Sequence, residues 1–312
     1  MLDTRRFPVH TVLHETEPGV RVLVQTQRPE EASNRHLVIV HGLEGSGESG
    51  YARSLAQAAL EAGLIAHRFH MRSCGGTEAH SGSVLYHSGQ TADLGAFLQA
   101  LRADSPDALI HLAGFSLGGN VALKLAGEIG VDGCDLLDSV CAVSVPIDLA
   151  ACARRLQAPE NRLYANRFLK RLKKRIRTKE ALQPGLFRLE LLSRVRTIEE
   201  FDDTFTAPGF GFGTAARYYA TQSAGRFLDA IRVPTLIVQA KDDPLVPFAI
   251  FDHPAFGSNP ALRLLAVDHG GHLGFLSRRR PRFWLDGVII EWIRERESDR
   301  AIAGGSSMVS VR

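Results

Sequence analysis

Short apolar runs alternate along the chain with segments in which apolar residues recur at helical spacing. The runs are continuous, as in parallel strands that are buried on both faces. In the segment 90–101, Leu94, Phe97, Leu98 and Leu101 recur at i, i+3, i+4 and i+7, which is typical of an amphipathic helix. The pattern predicts strands at residues 20–26, 36–40, 64–70, 109–113, 139–145, 233–240 and 262–267. It predicts helices at residues 50–62, 90–101, 121–126 and 282–297.

This alternation predicts an α/β fold in one domain, residues 1–312, with a mostly parallel twisted sheet and helices on both faces. In such sheets, functional sites lie at the carboxyl ends of the strands. Residues 149–230 interrupt the alternation and are predicted to be a helical cap inserted between two strands. We call them the cap segment. The Gly- and Ser-rich tail, residues 301–312, is predicted to be disordered.

The cap segment is strongly basic. From Arg154 to Arg196 there are 14 Lys or Arg residues against three Glu residues. One predicted helix has an apolar stripe with cationic residues around it. The stripe is Tyr164, Phe168, Leu172 and Ile176, and the surrounding cations include Arg167, Arg171, Lys174 and Arg175. Two interpretations stay open: a helix with a solvated outer face, or a cap that meets anionic lipid or substrate.

An aromatic and glycine-rich stretch follows that helix within the cap segment. Residues 201–213 contain Phe201, Phe205, Phe210 and Phe212 among glycines and a proline. We predict an irregular loop, and two interpretations of its phenylalanines stay open: they cover an apolar pocket, or they simply pack against the body.

Composition is ordinary for a soluble globular protein. The 312 residues are 45% hydrophobic and 23% charged, with a net charge of +3. No apolar run reaches the roughly 18 residues of a membrane span, and the first residues lack the apolar region of a signal peptide. The four cysteines show no framework or paired spacing, which indicates reduced thiols. These features predict a cytoplasmic protein.

The strand at 109–113 runs into Gly114-Phe115-Ser116-Leu117-Gly118, which fits the G-x-S-x-G pattern of a nucleophile elbow. Glycines two positions before and after the serine leave room for the strand and the following helix to approach each other. The serine hydroxyl then stands above the sheet edge at a helix N-terminus, where the dipole favours developing negative charge. The pattern therefore predicts Ser116 as a nucleophile.

An aspartate and a histidine follow two later strands at the same predicted sheet edge. Serine is a weak nucleophile at neutral pH and needs a base, which histidine supplies, while a carboxylate orients that histidine. Asp242 and Asp243 compete for the carboxylate role. We favour Asp243, because Pro247 follows it by four residues, a step that is seen after the acid residue in this fold. His269 and His272 compete for the base, and we favour His272, which lies beyond two flexible glycines. An Asp268–His269 pair would then be supporting.

Two backbone N–H groups, those of Leu43 and Leu117, are predicted oxyanion donors. Leu43 follows His41-Gly42 at the end of one predicted strand, and Leu117 directly follows Ser116. No histidine or cysteine spacing indicates a metal site, and no cofactor is expected. A recognised nucleic-acid motif is also absent, so no nucleic-acid partner is expected.

The Ser…Asp…His order is that of the α/β-hydrolase fold. The chain resembles the YheT-like branch of the α/β-hydrolases (AB hydrolase family 4), which also holds the mammalian abhydrolase-domain 1 and 3 proteins. The motifs that carry the resemblance lie between about residues 36 and 280. They are HGLEG at 41–45, YHSG at 86–89, DL at 93–94, GFSLGGN at 114–120, FDD at 201–203, TAP at 206–208, YY at 218–219, DDP at 242–244 and HGGHLGF at 269–275.

The resemblance implies a Ser/Asp/His esterase or lipase, with Ser116, Asp243 and His272 in the catalytic roles. We therefore expect a serine carboxylic-ester hydrolase that acts on a small-molecule or lipid ester. Acyl transfer or thioester hydrolysis at the same residues is the alternative chemistry. A non-catalytic binding module on the same fold is the alternative of another class, and weak contact with anionic membranes through the basic cap stays open.

Overall fold

A computed structural model describes residues 2–82, 85–278 and 282–307. Within these ranges the chain forms eight strands, numbered in chain order. They are β1 His10–Glu17, β2 Val20–Gln27, β3 Arg35–Val40, β4 Ile65–Phe69, β5 Leu109–Phe115, β6 Ser139–Val143, β7 Thr235–Ala240 and β8 Leu262–Val267.

The described residues also form eleven α-helices, several of them only one turn long. They are α1 Gly50–Glu61, α2 Ala92–Asp104, α3 Leu117–Ile129, α4 Gly133–Leu136, α5 Leu149–Leu156, α6 Arg162–Leu182, α7 Ile198–Phe201, α8 Ala207–Gly209, α9 Ala215–Gln222, α10 Ala255–Ser258 and α11 Trp284–Ser307.

All eight strands join in one sheet, in the order β1-β2-β4-β3-β5-β6-β7-β8. Every pair from β4 through β8 is parallel, whereas β1 and β2 pair antiparallel with each other and β2 pairs antiparallel with β4. The predicted mostly parallel sheet is therefore confirmed, with an antiparallel edge. The sequence analysis missed β1, whose side chains are largely exposed and so carry no apolar run.

Helices cover both faces of the sheet, as predicted. Successive residues of β3 point to opposite faces, so that Val38 and Val40 join one core and Leu37 and Ile39 join the other. The first core is completed by α2 and α3, and the second by α1 and α11. Burial on both faces explains why the central strands are continuously apolar.

The cap segment connects β6 to β7, which are neighbours in the sheet. It consists of helices and turns and contains no strand; every residue from 149 to 230 is described. Many of its apolar residues form a cluster of their own, which also takes in Leu85 and Leu245 from the body. We call it the cap cluster. The cap segment is thus packed on the body rather than held away from it.

The predicted irregular loop at residues 201–213 is wrong for its first part. The capping box of Thr197 and Glu200 starts α7, a π-helical turn at Asp202–Thr206 continues it, and α8 follows. Phe201 and Phe205 lie four residues apart and are both buried in the cap cluster. Helical packing of these two rings replaces the expected loop.

The amphipathic stripe of α6 also differs from the prediction. Tyr164 is 47% exposed, and Leu169 takes its place in the buried stripe with Leu172 and Ile176. Two of the cations turn inward instead of outward. Arg175 pairs with Glu44 of the body, and the fully buried Lys179 donates to the carbonyls of Glu78 and Gly82.

The closing helix α11 runs to Ser307 and so overlaps residues 301–307 of the predicted disordered tail. Residues 308–312 of that tail lie outside the described residues. In the part of the chain that the structure describes, none of the helices combines the length and the hydropathy of a membrane-spanning segment.

Candidate active site

Ser116 occupies a sharp turn between β5 and α3. Its backbone has φ 53° and ψ −119°, a conformation that costs a residue with a side chain of the order of 1–3 kcal/mol. A Cβ at Gly114 would lie 2.4 Å from the Gly118 carbonyl oxygen, and a Cβ at Gly118 would lie 2.5 Å from the His41 carbonyl oxygen. Only glycine therefore fits at these two positions, and the turn has the close strand–helix approach that the sequence pattern predicts.

The structure brings Ser116, His272 and Asp243 into one hydrogen-bonded series. The Ser116 Oγ lies 2.9 Å from His272 Nε2, and His272 Nδ1 lies 2.9 Å from Asp243 Oδ2. The Asp243 side chain is fully buried and accepts further bonds from the backbone N–H groups of Leu245 and Val246. These bonds fix the carboxylate, which in turn orients the imidazole with Nε2 toward the serine.

The competing pair, Asp242 and His269, lies on the surface. Asp242 accepts the backbone N–H groups of Gly270 and Gly271 at 2.9 and 2.8 Å and contacts His269 Nδ1 at 3.3 Å. The bond from Gly271 is the main cause that lowers the pKa of Asp242. Asp242 therefore anchors the loop that carries His272. The expected Asp268–His269 pair is wrong, because Asp268 pairs with Lys241 at 2.7 Å instead.

The two predicted oxyanion donors lie beside the serine. Leu117 is the first residue of α3, where a helical N–H has no intrahelical acceptor. Leu43 follows Gly42, and a Cβ at Gly42 would lie 3.1 Å from the Ser116 Cβ. Leu43, Leu117, Ser116 and His272 line the same cavity. Both predicted donors therefore belong to residues next to the serine in the cavity wall.

Side chains behind Gly42 hold this loop in place. Buried His41 donates from Nδ1 to the Gly42 carbonyl at 2.8 Å and accepts the Met71 N–H at Nε2. Burial lowers the pKa of His41 to about 3, so the ring is neutral near pH 7. The Tyr51 hydroxyl accepts the Gly42 N–H at 2.9 Å. The loop is thus fixed from two sides before any substrate binds.

Glu44, the next residue but one after Gly42, ties the loop to the cap segment. It has a positive φ of 55°, and its N–H donates to the Tyr86 hydroxyl at 2.7 Å. Its buried carboxylate receives Arg175 Nε at 2.8 Å and Arg175 Nη2 at 3.1 Å. Sequence reasoning missed this pair, because the two residues lie 131 positions apart and no local pattern links them.

A cavity lies over Ser116 between the body and the cap segment, and its empty space, including open solvent at its mouth, is about 930 Å³. Most of its wall is apolar and comes from the cap cluster and adjoining body residues. Phe168, Leu172, Ile198, Phe201 and Leu245 are members of this wall. Such a surface suits an apolar chain.

Part of the cavity wall is polar. The Tyr219 hydroxyl donates to Asp202 Oδ2 at 2.6 Å, and the Tyr218 hydroxyl bonds to Ser88 Oγ at 2.8 Å. All four residues line the cavity together with Thr206. Burial raises the pKa of Asp202 to about 6. All five residues belong to motifs that carry the family resemblance, but sequence reasoning assigned them no role and did not bring them together.

Among the described residues, no set of three His, Cys, Asp or Glu side chains is placed to hold a metal ion. The chemistry available at the site is that of the serine, the imidazole, the buried carboxylate and the backbone donors.

Comparisons with known proteins agree on one family. A family model described as the alpha/beta hydrolase fold matches residues 35–278. The YheT protein of Escherichia coli (strain K12) is 36% identical over 87% of this chain and 80% of its own length. A monoacylglycerol lipase of Saccharomyces cerevisiae is 30% identical over 80% of this chain but 56% of its own length. The esterase Pf2001 of Pyrococcus furiosus shares the fold, with a TM-score of 0.61 at 19% identity and 93% coverage of each chain.

Proposed function

The chain belongs to the α/β-hydrolase fold family, and on that premise we propose that it is a serine carboxylic-ester hydrolase that works through an acyl-enzyme intermediate on Ser116. The observation that carries the proposal is the hydrogen-bonded series from Ser116 through His272 to buried Asp243. Each member has the role that its chemistry suits: a nucleophile, a base, and an orienting carboxylate.

In the proposed reaction, Ser116 Oγ attacks the ester carbonyl while its proton passes to His272 Nε2. The oxyanion that forms accepts hydrogen bonds from the N–H groups of Leu43 and Leu117. The carbon–oxygen bond to the alcohol then breaks, and His272 returns the proton to the departing oxygen. Water then attacks the carbonyl of the acyl-enzyme while His272 takes a proton from the water. The bond to Ser116 Oγ breaks, His272 returns the proton to that oxygen, and the acid leaves.

The apolar cavity wall supports a fatty acyl group as the acid half of the ester. The similarity to a monoacylglycerol lipase of Saccharomyces cerevisiae supports the same substrate class. We propose a lipid or other apolar acyl ester as the substrate.

The test is labelling of the purified protein with a fluorophosphonate, followed by intact-mass measurement and hydrolysis of p-nitrophenyl esters of increasing chain length. We expect a single adduct on the wild type and none on Ser116→Ala. A surviving adduct at another serine, or ester hydrolysis by Ser116→Ala at the wild-type rate, would overturn the proposal.

We also propose that the outer face of α6 meets anionic lipid surfaces. Arg167, Lys170, Lys174 and Arg177 follow one another at i, i+3, i+7 and i+10 on that face and are exposed. No carboxylate of the described residues lies within ion-pair distance of these four side chains. Leu163, 82% exposed, continues the same face at its N-terminal end. An unpaired cationic face with an exposed apolar residue is typical of interfacial helices.

A further inference from the structure

Asp202 is a half-buried carboxylate with an uncommon environment. It begins the π-helical turn Asp202–Thr206, and π-helical turns are frequent at functional sites. Its side chain lines the cavity above Ser116. No cationic group of the described residues lies within ion-pair distance of it. A carboxylate in an apolar cavity without a cation is costly unless donors satisfy its oxygens.

Asp202 receives a hydrogen bond from a neutral hydroxyl of the protein. Tyr219 donates to Oδ2 at 2.6 Å, and Thr206 lines the same part of the cavity. A carboxylate accepts up to about four hydrogen bonds, so acceptor capacity remains for a molecule in the cavity. Neighbouring Asp203 differs: it is exposed and accepts the Ala215 N–H at 2.8 Å, which holds the start of α9. Of these two adjacent aspartates, Asp202 therefore faces the cavity and Asp203 holds a helix start at the surface.

The polar groups form one continuous part of the cavity wall. The Tyr218 and Tyr219 rings lie 5.1 Å apart, and they link Asp202 on one side to Ser88 on the other. Most of the remaining wall is apolar, and the cap cluster contributes a large part of it. An ester has two halves, and the two kinds of wall match an apolar acid half and a hydroxylated alcohol half.

We propose that Asp202, with Tyr218, Tyr219 and Ser88, forms a subsite that binds free hydroxyl groups on the alcohol half of the ester substrate. This inference rests on the proposed hydrolase function and adds the class of alcohol, a polyol such as glycerol. A substrate hydroxyl donates to the Asp202 carboxylate. An ester whose alcohol lacks hydroxyls leaves the remaining acceptor capacity of the Asp202 carboxylate unused, and a site built around hydrogen bonds discriminates strongly against such an analogue.

The test compares two octanoyl esters, 1-octanoylglycerol and propyl octanoate. Both alcohols have three carbons, and only glycerol carries two free hydroxyls. We expect the wild type to have a kcat/KM for the glyceryl ester about tenfold or more above that for the propyl ester, since a hydrogen bond to a charged group contributes about 1.5–3 kcal/mol.

Three variants locate the source of that preference. Asp202→Asn should lower the glyceryl-to-propyl ratio about threefold or more, mainly through KM, because an amide oxygen is a weaker acceptor. The double variant Asp202→Leu/Tyr219→Phe replaces both partners with apolar groups and should bring the ratio close to one. Asp203→Asn, which changes the same charge one residue away, should keep the wild-type ratio. Fluorophosphonate labelling of Ser116 checks that each variant folds.

Equal wild-type kcat/KM values for the two esters would overturn the subsite while leaving the hydrolase proposal intact. The subsite is also wrong if the double variant keeps the wild-type ratio, or if Asp202→Asn lowers kcat/KM for both esters equally, as a purely structural bond to Tyr219 would. If the double variant does not fold, the ratio of Asp202→Asn decides. Hydrolysis of neither ester, with no labelling of Ser116, would instead overturn the hydrolase function itself.

Discussion

At the residue scale, Ser116 illustrates how a side chain can be kept at a position that its backbone disfavours. Its positive φ of 53° with ψ −119° belongs to a region in which glycine is the unstrained residue. The flanking backbones approach so closely at Gly114 and Gly118 that the turn has no room to relax. The strain therefore persists in the folded protein, and it holds the hydroxyl at the cavity.

The first prediction concerns that strain. Ser116→Gly should raise the melting temperature relative to Ser116→Ala, because glycine relieves of the order of 1 kcal/mol of backbone strain while alanine retains it. Both variants should lose ester hydrolysis. Thermal unfolding of the three proteins side by side is the measurement. If Ser116→Gly melts below Ser116→Ala, the turn is not strained in the way described.

The second prediction separates the two aspartate–histidine pairs. His272→Ala should lower kcat about a thousandfold or more, and Asp243→Asn should also lower it strongly, because the imidazole loses its orienting partner. His269→Ala should cost clearly less. Asp242→Asn should act mainly through the loop that it anchors at Gly270 and Gly271. Steady-state kinetics on one soluble ester tests all four, and a larger loss in Asp242→Asn than in Asp243→Asn would contradict the assignment.

At the scale of elements, the contact between α6 and the loop after β3 joins two parts of the site. Arg175 and Glu44 are both buried and bonded in two places, and the Arg175 guanidinium also lies over the Tyr86 ring at 5.4 Å. Because Glu44 follows Leu43 directly, a shift of α6 would move the predicted oxyanion donor. Arg175 is thus a positioning residue for that loop.

The third prediction follows from this contact. Arg175→Met leaves the Glu44 carboxylate buried without its partner, which should destabilise the protein by about 3–5 kcal/mol and lower kcat more than it raises KM. Adding Glu44→Gln to Arg175→Met should recover a large share of the stability. Urea unfolding and kinetics of the two single variants and the double variant form the cycle. Additive effects in the two single variants would show that the pair does not act as a unit.

The fourth prediction concerns the outer face of α6. The wild type should bind anionic vesicles weakly at low salt, and binding should fall as salt screens charges beyond about 10 Å at 0.1 M. Replacing Arg167, Lys170, Lys174 and Arg177 with Gln should abolish this binding and leave hydrolysis of a small soluble ester intact. Cosedimentation is the measurement. The matched control removes the same charge elsewhere on the surface, at Arg5, Arg28, Arg263 and Arg294.

If both quadruple variants lose vesicle binding equally, the net charge of the protein and not the outer face of α6 determines that binding. Failure of the wild type to bind anionic vesicles would leave α6 with a simple solvated outer face. Lys173 and Arg171 are left unchanged in this design, because Lys173 donates to the Val195 carbonyl and Arg171 to that of Glu44.

At the scale of the whole molecule, buried histidines couple stability to pH. Burial lowers the pKa of His36 and His70 to about 4 and the pKa of His41, His67 and His87 to about 3. In the unfolded chain these groups titrate near 6.5. Between about pH 6.5 and 4 the unfolded state therefore binds more protons than the folded state. The free energy of unfolding consequently decreases as the pH falls.

The fifth prediction is a steep acid limb of the stability curve. Each of these histidines contributes up to about 1.4 kcal/mol of lost stability per pH unit below 6.5. The free energy of unfolding in urea should therefore fall sharply from pH 7 to pH 5. The double variant His36→Gln/His67→Gln should make the free energy of unfolding depend less steeply on pH. The decrease should correspond to up to two fewer protons bound on unfolding. A free energy of unfolding that is constant over this range would contradict the prediction.

The parts of the molecule that sequence reasoning predicts well are those in which the physical cause is local. The central strands are continuously apolar because both sheet faces are covered, and the Ser116 turn has its glycines within two residues. The edge strand β1 escaped notice because its exposed side chains leave no apolar run. Asp242 and Asp243 are neighbours in the chain and identical in chemistry. Only the course of the backbone makes Asp242 the surface anchor of the loop and Asp243 the buried partner of His272. The inward turn of Arg175 depends on a glutamate 131 positions away, which no window along the chain can reveal.

The sheet order has a consequence for the newborn chain. From β5 outward, the strands β6, β7 and β8 are added in the order in which they are synthesised. Ser116 leaves the ribosome 156 residues ahead of His272, which at about 5–20 residues per second is an interval of roughly 8–30 seconds. Under the proposed mechanism, Ser116 has no base until the last sheet strand and the loop that carries His272 are in place. A chain that stops before His272 is therefore expected to lack esterase activity even though it contains the nucleophile.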